Sequence, residues 1–590
     1  MDDHKTIDLT LIPKSLTLKR AASYSNLYTT LLAASLLGSL IPSSASARTF
    51  RVVTLADAPA PPLTVAECGD LPEPTCTSTL PSAECTLRAA VQWANNCPGH
   101  DTIQLDAPGG GTYSLTVLNG AGGAEDNADR GDLDVTEQVR IVGMGTSPTA
   151  HIVDGLNADR VFHAILPLLA APDTGEVSPS ILTLENMTVQ NGTAQNGGCI
   201  YAVRPPGTML GGAGLLLDTA LVRSCTATND GGAIHMAENT YKVEGVDSTI
   251  RDSTATANGG GIYSKALGVE FLDSVFTMNS AGADGGGVFA VDAGQTVGSG
   301  FDHFYQGVEF IGNTAGSDGG AIYSEETPAG AAAVPGRALS IAFSDLRNNA
   351  AGTAFGSSAG GAVYSQTIVN VQFSNLSNNT MTSTSSNYGG ALFAENLWRV
   401  QYSTLNGNRL GDDGSAGGAI AAFGSGFVLL SSFSNNYAKA FGGAIATLSG
   451  TTTVERASFR YNEAATASAV GHFGSGSLRL MASAIGDNGT TATNQCFGTT
   501  SADWNVSDDA SCLGAPDDLS MNPGFVGTAS PPTSPTLQFI SDVITIGCAS
   551  PGVDHFPVGK GTVAITDPLG TTLPQGPEND SGAMEVTGCS

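Results

Sequence analysis

The stretch GSDGGAIYSEET, from Gly316 to Thr327, carries the pattern that decides the fold. Its centre, a Gly-Gly pair followed by one aliphatic and one aromatic residue, returns along the chain as DGGAIH, NGGGIY, DGGGVF, AGGAVY and YGGALF. The Gly-Gly pairs begin at positions 197, 231, 259, 285, 319, 360, 389, 417 and 442, so one unit takes 25 to 41 residues. Repetition at this period predicts a stack of similar units, not a series of globular domains.

A second signal keeps the same period: an apolar residue followed three positions later by asparagine. Between the two signals lie short segments of alternating polarity, such as VEFIGN and VQFSNL, which are typical of strands and too short for amphipathic helices. A unit of two or three such strands cannot bury its own apolar face, so it must stack on the next unit. The pairs are Phe276/Asn279, Phe310/Asn313, Leu346/Asn349, Leu376/Asn379, Leu405/Asn408, Phe433/Asn436, Phe459/Asn462 and Ile485/Asn488.

These patterns predict an all-β fold, a right-handed parallel β-helix (solenoid) over residues 101–490. Successive coils of such a helix lie about 4.8 Å apart, and equivalent residues form ladders along its axis. The Gly-Gly pair is expected at a corner where the chain needs positive φ and close backbone approach. Asparagine is expected at a second corner, because it tolerates the left-handed region and its amide can hydrogen-bond from coil to coil.

The open ends of a stacked sheet need caps, since an exposed strand edge invites aggregation. Residues 48–100, with the helix-compatible CTLRAAVQWANN, are predicted to form the N-terminal cap, and residues 491–590 the C-terminal cap. The sequence contains no C-x-x-C pair, so the cysteines favour disulfides in an oxidising compartment over a metal site. The disulfide candidates are Cys68, Cys76, Cys85, Cys97, Cys199, Cys225, Cys496, Cys512, Cys548 and Cys589.

The first 47 residues have the layout of a signal peptide. Basic residues precede an apolar run from Leu27 to Pro42, and Ala45-Ser46-Ala47 offers a small-residue cleavage site. No later apolar run reaches the roughly 20 residues of a spanning helix. We therefore expect an exported protein, extracellular or associated with the outer membrane or cell surface, without a transmembrane segment in the mature chain.

The formal charge is −30, from 54 acidic and 24 basic residues. A charge of this sign repels phosphate backbones and anionic membrane surfaces, which excludes nucleic acid as an expected partner. Cations, neutral glycans and basic protein surfaces remain as partners, and a merely solubilising acidic surface is the simpler interpretation.

Several segments resemble a known family. CTLRAAVQWANNCPGHDTIQL, from Cys85 to Leu105, is similar to the CSLREA motif that opens many secreted bacterial β-helix proteins. Gly131 to Val135 (GDLDV), Asp159 to Phe162 (DRVF) and the ending LPQGPENDSGAMEV, from Leu573 to Val586, resemble further segments of that family. The Gly-Gly-Ala-Ile and Phe-x-x-Asn repeats resemble those of polymorphic outer-membrane proteins. The resemblance implies a secreted or surface β-helix and supplies no catalytic residue, and Ala89 stands where the motif has Glu.

β-Helices also serve as polysaccharide lyases and hydrolases, so the residues that those reactions need must be sought in this sequence. A lyase needs a base and a cation in one cleft, yet only three of the seven lysines fall in the repeats. A hydrolase needs two carboxylates, and Asp284 and Asp318 precede Gly-Gly pairs one coil apart. The alternative for Asp230, Asp284 and Asp318 is hydrogen bonding within their own turns, and their stacking is also compatible with a bound Ca²⁺. No catalytic residue is assigned, and no cofactor other than Ca²⁺ is expected.

An aromatic column is the stronger functional lead. If the aliphatic residue after each Gly-Gly pair points inward, period two sends the next side chain outward in seven successive coils. Such a stripe is predicted to bind glycan rings or a protein partner, although external aromatic ladders also stabilise β-helices by stacking alone. The candidate binding residues are Tyr201, Tyr263, Phe289, Tyr323, Tyr364 and Phe393, with His235 in the same row and Ala421 and Ala446 after it.

The sequence thus predicts a secreted or cell-surface, non-catalytic, adhesin-like scaffold that binds a glycan or a protein. A carbohydrate-active β-helix enzyme is the alternative. A purely structural extracellular component is a third class, which only binding tests separate from the first.

Overall fold

The computed structural model describes residues 47–62, 76–97, 99–119, 128–170, 177–205, 212–291, 303–326, 338–353, 356–411, 413–489, 494–523, 525–528 and 544–546. The predicted signal peptide therefore lies outside the described residues. The described residues from 47 to 168 and from 179 onward belong to one compact unit.

The chain winds as a parallel β-helix, as predicted, and each full coil contributes to four ladders of parallel strands. Ladder 1 follows the Gly-Gly corner, and within it Ile322 pairs with Val288 on one side and Val363 on the other. Its strands are Leu133–Val135, Phe162–Ile165, Ile200–Val203, Ile234–Met236, Ile262–Ser264, Val288–Val291, Ile322–Glu325, Val363–Ser365, Leu392–Ala394, Ile420–Ala422, the first parts of Ile445–Glu455 and Val470–Met481, and Cys496–Phe497.

Ladder 2 comes next in each coil and merges with ladder 1 where a single strand, Ile445–Glu455 or Val470–Met481, spans both. Its first strand precedes the predicted cap helix in sequence, which shows that the N-terminal segment already contributes to the sheet. The other strands are Thr49–Val52, Asp101–Leu105, Val139–Gly143, Val177–Glu185, Ala213–Asp218, Lys242–Val246, Gly268–Leu272, His303–Gln306, Ala338–Ala342, Ile368–Gln372, Trp398–Gln401, Gly426–Leu429 and Thr499–Ser501.

Ladder 3 carries the apolar residue of each Phe-x-x-Asn signal, and it continues beyond residue 490. Its strands are Gly111–Ser114, His151–Asp154, Thr188–Gln190, Leu221–Arg223, Thr249–Arg251, Val275–Thr277, Glu309–Ile311, Asp345–Arg347, Asn375–Ser377, Thr404–Asn406, Ser432–Ser434, Ser458–Arg460, Ala484–Gly486, Val506–Ser507 and Leu519–Ser520.

Ladder 4 consists of two-residue strands between the asparagine and the next Gly-Gly pair. These are Thr193–Ala194, Thr226–Ala227, Thr254–Ala255, Ser280–Ala281, Thr314–Ala315, Ala350–Ala351, Thr380–Met381 and Arg409–Leu410. Outside the four ladders lie a parallel pair, Ser358–Ala359 with Asn387–Tyr388, and an antiparallel pair, Phe525–Thr528 with Ile544–Ile546. The strand Leu168–Ala170 belongs to the large sheet that contains ladders 1 and 2.

The Gly-Gly corner requires both glycines, for different reasons. Gly319 has φ +63°, a left-handed conformation that most side chains resist. Gly320 meets the neighbouring coil so closely that a Cβ there would lie 2.3 Å from the carbonyl oxygen of Gly361. The predicted roles of the pair, turning and close approach, are both confirmed.

The second corner is an interior amide ladder, as predicted, but the left-handed residue is the one before the asparagine, such as Asn348 at φ +56°, and not the asparagine itself. Asn349 donates through Nδ2 to the carbonyl oxygen of Phe310 at 2.9 Å and to Oδ1 of Asn379 at 3.0 Å. Its own Oδ1 accepts from Nδ2 of Asn313 at 3.0 Å. The same pattern runs from Asn279 to Asn488, so each side chain satisfies polar groups of the coils on both sides.

Stacked apolar side chains fill the interior. Phe276 and Phe310 stack at 4.8 Å between ring centroids, and Phe433 and Phe459 at 4.9 Å. All four rings are fully buried, which contributes roughly 1.5–3 kcal/mol for each side chain. Every coil therefore depends on its neighbours for its core.

The predicted helix is present, as the α-helix Leu87–Asn96, and it covers the N-terminal end of the coils. Thr86 caps it by accepting the Ala89 N–H at 3.1 Å. The fully buried Arg88 pairs with Asp57 at 2.8 Å and donates to the Gly131 carbonyl oxygen at 2.8 Å. The arginine of the CSLREA-like segment thus holds the cap to the first coil.

Three disulfides join Cys76 to Cys85, Cys199 to Cys225 and Cys496 to Cys512. Cys97 is also disulfide-bonded. Cys68, Cys548 and Cys589 lie outside the described residues. At the C-terminal end, the 3-10 helix Ala510–Cys512 closes the loop between Cys496 and Cys512. Within the described ranges, none of the helices is long and apolar enough to cross a membrane.

Candidate functional site

The aromatic column stands on the outer face of ladder 1, in the predicted register. Tyr201, His235 and Tyr263 occupy equivalent positions in successive coils, and His163 extends the row by one coil. The eight rings from His163 to Phe393 contact one another with centroid separations of 4.6 to 5.4 Å. Over seven coil steps the column extends for roughly 34 Å.

The rings are covered more than an open stripe would be. Tyr323, the most exposed of the five rings from Tyr263 to Phe393, shows 9% of its surface. Solvent therefore meets ring edges and polar tips. The Tyr364 hydroxyl donates to Glu395, and Lys265 Nζ lies 5.8 Å from the centre of the Tyr263 ring. Polar and charged groups thus fringe an apolar stack.

The predicted acidic row lies beside the column, and its side chains join successive coils. Asn258 N–H donates to Oδ1 of Asp230 at 3.0 Å. Asp318 N–H donates to Oδ1 of Asp284, also at 3.0 Å. These bonds run to the backbone of the next coil, so they differ from the expected hydrogen bonds within a single turn. The carboxylates are half-buried, and Asn258 separates Asp230 from the other two, so only Asp284 and Asp318 are adjacent in the row.

Asp318 is the most perturbed carboxyl of this row. Burial raises its pKa to about 7, and the nearby carboxylates of Asp284 and Glu395 add to the rise. Burial also raises the pKa of Asp284. An acid that titrates near neutral pH is suited to proton transfer, but one oxygen of Asp318 already accepts the Ala359 N–H at 2.6 Å.

A second charged cluster, at the beginning of the column, was not predicted. Asp132, Asp134 and His163 bring ligand-type atoms within 4.8 Å of one another. Arg160 pairs with Asp132 at 2.8 Å, and Asp134 Oδ1 lies 3.0 Å from His163 Nδ1. Burial raises the pKa of Asp132 to about 6 in spite of the arginine. Arg160 thus already supplies one positive charge to these carboxylates from within the protein.

A further aromatic group, the corner stack of Phe343, Phe373 and Tyr402, also escaped prediction. It lies at the turn between ladders 2 and 3, with ring centroids 4.9 and 4.7 Å apart. The signal was present in the sequence, because an aromatic residue and a serine precede the apolar residue by three and two positions in FSDL, FSNL and YSTL. The asparagine at the end of these segments recurs in more coils than the aromatic residue at their beginning, so it is the stronger repeat.

Two minor sequence features take structural roles. His472 in GHFG is buried, and its Nδ1 lies 2.8 Å from the Thr447 hydroxyl. The acidic loop from Asp503 to Asp509 is closed by the disulfide between Cys496 and Cys512, and Asp509 caps the 3-10 helix through the Ser511 N–H.

Comparison with known proteins finds a similar repeat. Residues 307–325 and 431–448 match the model of the Chlamydia polymorphic membrane protein repeat. Each matched segment runs from ladder 3 through the asparagine corner and the Gly-Gly corner into ladder 1. The A-module of the Azotobacter vinelandii mannuronan C-5 epimerase AlgE6 is a structural neighbour at 9% identity and a TM-score of 0.34, with 71% of this chain and 94% of that chain covered. No curated protein matches the sequence.

Proposed function

We propose that this chain is an exported, cell-surface or extracellular scaffold of the CSLREA-like β-helix type, which binds a glycan or a protein without catalysis. The observation that carries the proposal is the continuous aromatic column on one face of ladder 1. Repeats similar to those of a surface-protein family support the cellular location. The binding face consists of the column edges and the polar groups beside them.

The column has the chemistry of a contact surface in spite of its partial burial. Ring edges and tyrosine hydroxyls offer apolar area and hydrogen bonds at a spacing of one coil. The same face carries Lys265, Glu325 and Glu395. Groups of positive and of negative charge are therefore available to orient a ligand. A long face with repeated small contacts suits an extended partner, such as a linear glycan or a strand of protein.

A carbohydrate-active enzyme is the second candidate, and one observation favours it. Asp318, with its pKa near 7, acts electrostatically on the Tyr364–Glu395 pair and is adjacent to Asp284. Against this stand the backbone hydrogen bonds that already engage Asp284 and Asp318, and the scarcity of lysines for an anionic substrate. The Ca²⁺ site at Asp230, Asp284 and Asp318 stays a prediction.

An array of glycans and surface proteins tests the proposal. Each tyrosine is replaced by phenylalanine, which removes the hydroxyl and keeps the stacked ring. Alanine would instead remove rings that support the fold. Tyr263→Phe, Tyr323→Phe and Tyr364→Phe combined are expected to weaken binding at least tenfold. Tyr305→Phe is the matched control, since its hydroxyl is fully buried on the interior side of ladder 2.

Two results would count against the proposal. If the wild-type chain binds no probe, the column is a structural ladder only. If the triple variant binds as tightly as the Tyr305→Phe control, the ligand sits elsewhere.

A further inference from the structure

The corner stack occupies a backbone position that ordinarily selects small polar residues. Phe343, Phe373 and Tyr402 have φ between +49° and +51°. Their N–H groups donate to the next coil in the same way as those of Asp273 and Gly307, so all five are equivalent positions. The full row is Asn186, Thr219, Asp247, Asp273, Gly307, Phe343, Phe373, Tyr402, Leu430, Arg456 and Ala482.

The aromatic residues hold a strained backbone conformation there. A left-handed conformation costs a residue with a side chain roughly 1–2 kcal/mol, and asparagine tolerates it best. Two stacked ring pairs return roughly 0.5–1.5 kcal/mol each beyond the burial of their area, and Phe373 and Tyr402 are half-buried. Strained backbone positions are frequent at functional sites.

One ring face of the stack is open. The coil before Phe343 has Gly307 at the corner, which offers no side chain to cover the ring, and Phe343 is 40% exposed. The carboxylate of Asp273, in the coil before Gly307, lies over Gly307. It occupies the position that a Cβ atom on Gly307 would take. An aromatic face and a carboxylate thus border the same stretch of surface.

The charge on this side of the stack is negative over successive coils. Asp247 and Asp273 are exposed at the corner, and Asp218 lies one coil before them. Burial raises the pKa of Asp247, and the charges of Asp273 and Asp218 raise it further. A cation placed here would relieve that repulsion, whereas an anionic ligand would increase it.

We infer that the corner stack docks a basic segment of a partner protein, with one arginine or lysine over the open face of Phe343 and further basic groups along Asp273 and Asp247. The ring face attracts a cation through its quadrupole, and the carboxylates pair with it from the other side. The surface is separate from the aromatic column, so it does not depend on the ligand proposed for ladder 1.

Binding of a fluorescently labelled peptide that alternates arginine and serine tests this inference on the full chain. Phe343→Asn removes the ring and installs the residue that the first coil of the row carries, so folding is retained and is checked by circular dichroism. We expect a loss of affinity of roughly tenfold. Asp273→Asn should weaken binding and reduce its salt dependence. Met278→Asn is the matched control, because Met278 is 62% exposed at φ +56° in a different corner, and it should change affinity less than twofold.

Equal affinity of the Phe343→Asn and Met278→Asn variants would overturn the inference, since it would show attraction by net charge alone. Binding of a neutral oligosaccharide that is lost in Phe343→Asn would overturn the assignment of the partner. The triple tyrosine variant of the column should bind the peptide as the wild type does, so failure of this site and failure of the proposed function are distinguishable.

Discussion

At the scale of the residue, the recurrent asparagine has the clearest physical role. Asn349 joins three coils through its own amide, and its polar atoms are fully buried. Each buried polar group that loses its partner costs roughly 1–3 kcal/mol. The spacing in the sequence predicted both the corner and the ladder, because only a side chain with a donor and an acceptor can repeat along an axis in this way.

Asn349→Ala should therefore lower the free energy of unfolding by about 3 kcal/mol or more. Chemical denaturation followed by circular dichroism measures the change. Asn396→Ala is the control, because Asn396 is exposed and accepts only the neighbouring Leu397 N–H, and it should cost less than about 1 kcal/mol. A similar loss in both variants would contradict the ladder as a source of stability.

Asp318 gives stability a dependence on pH. Its pKa is raised in the folded state, so the folded chain binds the proton more tightly than the unfolded chain. The stabilisation that protonated Asp318 provides is complete below about pH 4, near the pKa of an aspartate in the unfolded chain. It is lost as the pH rises through about 7, the pKa in the folded chain. Asp318→Asn, which imitates Asn258 in the same row, should flatten the profile of melting temperature between these values. The exposed Asp413→Asn serves as control, and an unchanged slope in Asp318→Asn would refute the assignment.

At the scale of the element, the corners explain how much the sequence could predict. Gly-Gly and Phe-x-x-Asn signals located both corners, because the first needs positive φ and the second needs a buried side chain that both donates and accepts hydrogen bonds. The corner between ladders 2 and 3 was missed, since Asp273, Gly307 and Phe343 occupy it in turn and share no residue type. The burial of the aromatic column was not predictable either, because it depends on how neighbouring rings and flanking side chains cover one another.

The second glycine of a pair is predicted to tolerate no side chain. Gly320→Ala places a methyl group 2.3 Å from the Gly361 carbonyl oxygen and 2.6 Å from that of Ala350, so two coils must separate. We expect a loss of more than about 4 kcal/mol or no soluble protein. The methyl group of Gly411→Ala would have no neighbouring atom within 4 Å, so this variant should leave the thermal melt unchanged. A Gly320→Ala variant of wild-type stability would show that the coils are not packed as described.

At the scale of the whole molecule, the N-terminal cap protects the edge of the stack. Arg88→Met leaves the buried Asp57 without its cation and should cost about 3–5 kcal/mol. Loss of the cap exposes the first strands, so aggregation measured by light scattering should begin at a lower temperature. Adding Asp57→Asn should recover part of the loss. If the double variant were no more stable than Arg88→Met, the ion pair would not be what holds the cap.

The central claim is that this β-helix binds without catalysis, and a product assay tests it most directly. The chain is incubated with neutral and uronate-containing polysaccharides, and mass spectrometry follows both the fraction bound and any change in the polysaccharide. We predict bound polysaccharide of unaltered mass and linkage, with weaker binding by the triple tyrosine variant. Cleaved, eliminated or otherwise modified polysaccharide that disappears with Asp318→Asn would contradict it.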